Sequence, residues 1–209
     1  MVPSGEAPPG LPLLEAISLE HLPPTHSIHI GVFRDIANAT FLHQQLLGRN
    51  ADFEYAFIDA SSVTSRLQVL SAVYKAATIQ LGGTMKTPNI HSEIVCSLSP
   101  TNNISEAYRR FGITPTTKDL VIVKVLISPS SGEPSKLSPQ DVSSHLLSHV
   151  QGKLSPFTDA TLSELTDWAK VRKYYKLNGA PGLDGIKDPA QKDREIELLI
   201  LGAMALRGL

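Results

Sequence analysis

The sequence predicts an α/β fold: one compact domain with a small mixed sheet, several packed helices and an amphipathic helix at its end. Two observations predict it. Short runs of alternating or continuous apolar residues take turns with longer runs at three- and four-residue spacing, and Gly, Pro, Asn and Asp punctuate them. A length of 209 residues with 42% apolar content suits one hydrophobic core, and neither a repeat nor a second domain is visible.

Residues 1–25 read as a proline-rich, partly flexible leader, with Pro3, Pro8, Pro9, Pro12, Pro23 and Pro24 crowded into it. It lacks the positive n-region and long apolar run of a signal peptide. No segment reaches the roughly 18 apolar residues that would suggest a membrane span. The domain is expected over 26–209. His26 to Phe33 is the first strand, with Ile28, Ile30 and Val32 at period two. Asp35 is placed to cap a helix through Leu47, with Ile36, Ala39, Leu42 and Leu46 on one face and Gly48 and Asn50 closing it. Phe53 to Ile58 is a second strand, followed by a polar turn. Ser65 to Leu81 is the clearest helix, with Leu67, Leu70, Tyr74, Ala77 and Leu81 as its apolar stripe and Gly82-Gly83 ending it.

Asn89 caps a helix carrying Ile90, Ile94, Val95 and Leu98, and Asn103 begins another, Ile104 to Phe111, stopped by Gly112. Leu120 to Ile127 is apolar except for Lys124 and reads as a central strand. Ser128 to Pro139 is a surface loop, and Gln140 to His149 a helix capped by Ser138 with Pro139 in its first turn. Asn178 to Gly185 is a glycine-rich loop, after which Asp188-Pro189 opens the last helix.

The chemistry of an enzyme is hard to find in this pattern. One cysteine, Cys96, excludes an internal disulfide and argues against a cysteine zinc site; it reads as a small core residue. His145 and His149 share a helix face but lack a zincin's glutamate, so an ordinary polar surface is expected there. His29 reads as a strand histidine satisfied by hydrogen bonds. Gly82-Gly83-Thr84-Met85-Lys86 follows a helix where a phosphate loop precedes one, and Ser61 and Ser62 lack a nucleophile-elbow setting. No catalytic residue, cofactor or metal is therefore expected. A net charge of -1, from 19 basic and 20 acidic residues, excludes coating of nucleic acid by general electrostatics.

The last helix stands out. Ile196, Leu199, Ile200 and Ala203 make one stripe, while Leu198, Leu201 and Ala205 lie largely off it. Such a helix needs burial on more than one side, either wholly in its own core or with one face offered to a partner. The segment Leu165 to Leu177 sets Trp168, Tyr174 and Tyr175 among Lys170, Arg172, Lys173 and Lys176. It has the composition of an interface, or of an amphipathic helix with a solvated basic face.

The stretch Lys86-Thr87 and the run from Glu93 through Leu98-Ser99-Pro100-Thr101-Asn102-Asn103-Ile104-Ser105-Glu106-Ala107 to Arg110-Phe111-Gly112-Ile113 resembles the signature of the kinase-binding subunit of the EKC/KEOPS complex. That is the family of the human PRPK-binding protein. Phe33-Arg34-Asp35-Ile36, Gln68-Val69-Leu70, Lys75-Ala76, Val171 and Tyr175-Lys176-Leu177 extend the likeness over roughly residues 26 to 207 and point to a fungal member. The resemblance implies a non-catalytic subunit that binds and stimulates the complex's small atypical kinase. It also implies help in docking tRNA, by its 3′ end, for threonylcarbamoylation of the adenosine next to the anticodon. Nuclear and cytoplasmic location, and links to telomeres and transcription, come with it. By the same resemblance the kinase contact falls on Ile196, Leu199, Ile200, Ala203 and Leu206, and candidate tRNA contacts are Lys75, Lys86, Arg109 and Arg110. A stand-alone RNA-binding module is the alternative reading.

Overall fold

The computed structural model describes residues 14–129, 135–180, 182–183 and 185–207; most of the leader and parts of two loops lie outside this range. Among the described residues five strands form one sheet: β1 Glu15–Ile17, β2 His26–Arg34, β3 Ala56–Asp59, β4 Leu120–Ile127 and β5 Lys153–Ser155. The order is β1-β2-β4-β3, and β5 joins β2. The eight helices are α1 Ala39–Leu47, α2 Arg66–Leu81, α3 Ile90–Ser97, α4 Ile104–Phe111, α5 Pro139–His149, α6 Asp159–Leu165, α7 Trp168–Tyr174 and α8 Pro189–Ala205.

The α/β class holds, but every strand pairing is antiparallel rather than mixed. The reason lies in the connection from β2 through α1 to β3. It is a crossover that leaves β2 and β3 parallel to each other, and β4 inserts between them, antiparallel to both. Alternating strands and helices suggest such crossovers, but a strand arriving later in the chain can split them. Period-two alternation sorts the sheet's side chains. Ile28, Ile30, Val32, Ile58, Val121 and Val123 face α2, α3, α7 and α8, whereas Phe33, Phe57, Leu120 and Ile122 face α1 and α5.

Several boundaries moved for local reasons. Asp35 does not cap α1: its φ is +55, and its backbone N–H donates to Asp119 Oδ1 at 3.0 Å as the chain turns out of the sheet. Asn38 takes the cap position, yet its side chain braces the end of α5, donating to His149 O at 2.7 Å and accepting from Gln151 N at 3.0 Å. Phe53 belongs to a 3-10 turn at Ala51–Phe53, capped by Asn50, so β3 starts later than expected. Within the span assigned to the leader, Leu14 is buried and β1 pairs with β2. Arg66 holds β1 through a two-pronged ion pair with Glu15, at 2.7 Å on each prong. Asn89, Asn103 and Ser138 accept from the first turns of α3, α4 and α5 where helix starts were expected, and Ser65, read as the first residue of α2, is its cap.

Candidate partner-binding surface

Helix α2 is apolar on two sides, and the structure buries the side with the smaller residues. Val69, Ala72, Val73, Ala76 and Ala77 are in the core, where valine and alanine let α2 lie close to the sheet and α3. Of the apolar stripe expected on α2 only Ala77 is buried, whereas Leu67 is 52% and Tyr74 40% exposed. Helix α8 runs beside it with the same division. Ile196, Ile200 and Met204 are buried in the core, whereas Leu201 and Ala205 face α2 across an open groove.

That groove has a volume of about 740 Å³ and an almost wholly apolar lining. Leu67, Leu70 and Tyr74 form one wall, Leu201 and Ala205 the other, and Leu19 closes one end. Leu198, 62% exposed and one turn before Leu201, extends the α8 wall toward solvent. Apolar side chains left open to water in a groove are surface that a partner's apolar side chains would cover, with release of that water. Glu20 and Lys75 are its two charged lining residues, and the Lys75 ammonium points away toward the end of α8.

The residues singled out for kinase contact separate accordingly. Ile196 and Ile200 are core residues and present no surface to a partner as the chain is folded. Ala203 is partly buried against the core, and Leu199 and Leu206 are exposed but do not line the groove. The groove side of α8 is instead formed by Leu201 and Ala205, which lie off the expected stripe. A helical wheel shows both stripes but not which the sheet takes, so the sequence could not choose between them. Removing the chain from Ile196 onward therefore takes out core and not only an interface.

The proposed tRNA contacts also divide. Lys75 is turned inward, its Nζ donating to Met204 O at 2.7 Å and to Arg207 O at 3.2 Å. Burial, and next the Arg207 guanidinium, hold its ammonium below the usual lysine value. Arg110 pairs with Glu106, donates to Tyr174 O at 3.0 Å and lies over the Tyr174 ring. Lys86 and Arg109 are exposed, Arg109 to 72%, with Glu106 at 3.6 Å. The Arg110–Tyr174 bond sets the last turn of α4 beside that of α7, where Lys173 and Lys176 are exposed as well.

Other candidates have internal partners. Cys96 is buried, and burial pushes its thiol up to about 11, so it stays protonated at neutral pH. His145 and His149 stack at 4.3 Å; His145 Nδ1 shares a hydrogen bond with Tyr55 Oη at 2.9 Å and His149 Nδ1 one with His145 O at 2.8 Å. His29 Nε2 shares one with Ser27 Oγ at 2.7 Å. Ser61 Oγ donates to Asp59 and lies 2.6 Å from Lys170 Nζ, which also pairs with Asp59 at 2.7 Å. Among the described residues no three His, Cys, Asp or Glu side chains group as a metal site.

The family model described as kinase binding protein CGI-121 matches residues 33–208, a span that takes in both walls of the groove from α2 to α8. The chain belongs to the CGI-121 family. It is 54% identical over 197 residues to the protein of Gibberella zeae named EKC/KEOPS complex subunit CGI121, covering 94% of this chain and 99% of that relative. The Neurospora crassa protein of the same name is 46% identical, again over 94% of this chain and 99% of its own length. The more distant Schizosaccharomyces pombe protein is 34% identical over 88% of this chain and 95% of its own length. Membership of the CGI-121 family also gives the signature its physical meaning. Within this fold Gln68 and Tyr175 close a buried polar network, Asn103 caps α4, and Glu93 is 98% enclosed.

Proposed function

We propose that this chain is a non-catalytic subunit of an EKC/KEOPS-type assembly that binds and stimulates the assembly's small kinase through the groove between α2 and α8. The observation that carries the proposal is the pairing of two helices that each bury one apolar stripe and leave a second one open, Leu67, Leu70 and Tyr74 facing Leu201 and Ala205. Tyrosine and leucine in an apolar cleft match the anatomy of a binding hot spot. The family to which the chain belongs is described by kinase binding, and its relatives are named for the complex. Calorimetric titration of the complex's kinase subunit against the intact chain and its Leu67→Asp and Tyr74→Asp variants tests this. A charge placed in the groove should weaken binding by about thirtyfold, the worth of one hot-spot residue. Undiminished affinity in both folded variants would exclude the groove.

The same proposal assigns the subunit a part in docking tRNA for threonylcarbamoylation, through exposed cations such as Lys86 and Arg109. With a net charge of -1 the isolated chain is expected to bind tRNA weakly and to lose it as salt rises. Arg109→Glu and Lys86→Glu should each lower that affinity, and titrations that match the parent at every salt concentration would remove both residues from the contact.

A further inference from the structure

The last turn of α8 is held by side chains that reach it from three other segments. A helix ends with four carbonyls that have no partner within it. Here the Lys75 ammonium, from α2, donates to the Met204 carbonyl in the last turn and to the Arg207 carbonyl just beyond it, and its charge complements the negative end of the helix. The Arg207 side chain then folds back under α3. Its Nη1 donates to Cys96 O, its Nε donates to Asn102 Oδ1 at 3.1 Å, and its Nη2 lies 3.9 Å from Glu93 Oε1. Both charged side chains are nearly enclosed, Arg207 8% and Glu93 3% exposed. The other Glu93 oxygen accepts from Thr87 Oγ1 at 2.7 Å, so its carboxylate is fixed from two sides.

Resting on the groove reading above, we infer that Lys75, Glu93 and Arg207 are positioning residues that clasp the end of α8 and so set the width of the kinase groove. The geometry leaves little room for a graded response. Glu93 and Arg207 lie outside the groove lining, yet Met204 and Ala205, which do line it, sit in the turn they hold. Lys75 belongs to both, as a wall residue whose ammonium points at the clasp. Taking away one partner of an enclosed ion pair leaves the other charge desolvated and alone, so the clasp is either closed or abandoned by the guanidinium altogether. With it abandoned, the end of α8 loses its tie to α3 and to Asn102 and keeps only the Lys75 ammonium, so it frays and the Leu201–Ala205 wall is no longer held opposite Leu67 and Tyr74. The clasp also ties the groove to the Ser99–Asn103 turn through Asn102, which puts part of the family signature to work at a site it does not touch.

The test uses the full chain with Glu93→Gln, which keeps the shape and removes the charge, and Arg207→Gln, which removes the guanidinium, and reads two quantities. Amide hydrogen exchange in the free protein is expected to rise at least about tenfold at Met204, Ala205 and Leu206 while the β4 amides keep their protection. Affinity for the complex's kinase subunit is expected to fall about tenfold in the same variants. Unchanged exchange at the end of α8 would overturn the clasp even if affinity fell, because the side chains would then act by touching the kinase. Faster exchange with full affinity would equally overturn it as a positioning device. Leu67→Asp, which leaves the clasp intact, separates the two claims: full kinase affinity in that variant overturns the groove reading alone.

Discussion

His91 sits in α3 with its Nε2 accepting from the Val125 N–H at 3.0 Å, so the ring's other nitrogen carries the proton and points at Glu54, 3.4 Å away. Burial pulls its pKa below the ordinary imidazole value of 6.5, and the nearby Glu54 carboxylate only partly offsets this. A neutral native histidine has a definite sign in the linkage. Below about pH 6.5 the unfolded chain takes up a proton that the folded chain refuses, so stability is intact above that pH and declines beneath it. His91 alone contributes a slope approaching ~1.4 kcal/mol per pH unit in that window. Thermal unfolding between pH 7.5 and 5 should show the decline, and His91→Gln should flatten it; parallel pH profiles for the two proteins would assign the effect elsewhere. The sequence reads His29 as a hydrogen-bonded strand histidine, as found, but it could not place His91. Which backbone amide a histidine meets is a tertiary fact, and nothing in the neighbouring residues of α3 carries it.

At the scale of elements, helices with a strong cap were legible nearly to the residue, because the cap side chain and the amide it accepts from lie within three positions of each other. Asn89, Asn103 and Ser138 are of this kind, and so is Asp188. The three-residue strands β1 and β5 were not legible, since a pattern of period two needs more positions than they have, and α6, with seven residues, offered barely two turns. In α2 the periodicity was visible, but of its stripe only Ala77 reached the core, because large apolar residues dominate any periodicity while the core there needed small ones. Gln68 in the same helix joins elements rather than forming one. Its Oε1 accepts from Thr64 N–H at 2.7 Å and from the Thr64 hydroxyl at 2.9 Å. Its Nε2 donates to Tyr175 Oη at 2.8 Å, and that hydroxyl donates to Leu98 O at 2.5 Å. Tyr175→Phe would strand the Gln68 amide and the Leu98 carbonyl in the interior. The expected loss is about 1–3 kcal/mol in urea-induced unfolding, and a change within ~0.5 kcal/mol would mean that the network relaxes around the deletion.

The whole molecule is a sheet with two unequal coats, α1 and α5 on one side and α2, α3, α7 and α8 on the other. Because α8 supplies Ile196, Ile200 and Met204 to the larger core, truncation before Ile196 should abolish cooperative thermal unfolding rather than yield a folded chain that no longer binds. Each such side chain is worth about 2–5 kcal/mol when removed, against a total of about 5–15 kcal/mol for a domain. A sharp melting transition in the truncated chain, read by circular dichroism, would contradict that accounting. The α/β class was readable because it follows from composition and alternation. Strand order was not, because the insertion of β4 between β2 and β3 leaves no local mark. One part of that order also bears on solubility. β2 has β4 on one side, while on the other β1 covers Ile28 to Ile30 and β5 covers Val32 to Arg34, in tandem. If β1 peeled away, a run of Ile-His-Ile backbone would be open to the strand of a neighbouring molecule, the usual starting point for aggregation. Besides its backbone bonds, β1 is held down by Leu14, by Ile17 packed on the larger core, and by the partly exposed Arg66–Glu15 pair. Since salt and acid both weaken such a pair, concentrated stocks of the protein should keep best at low ionic strength and neutral pH.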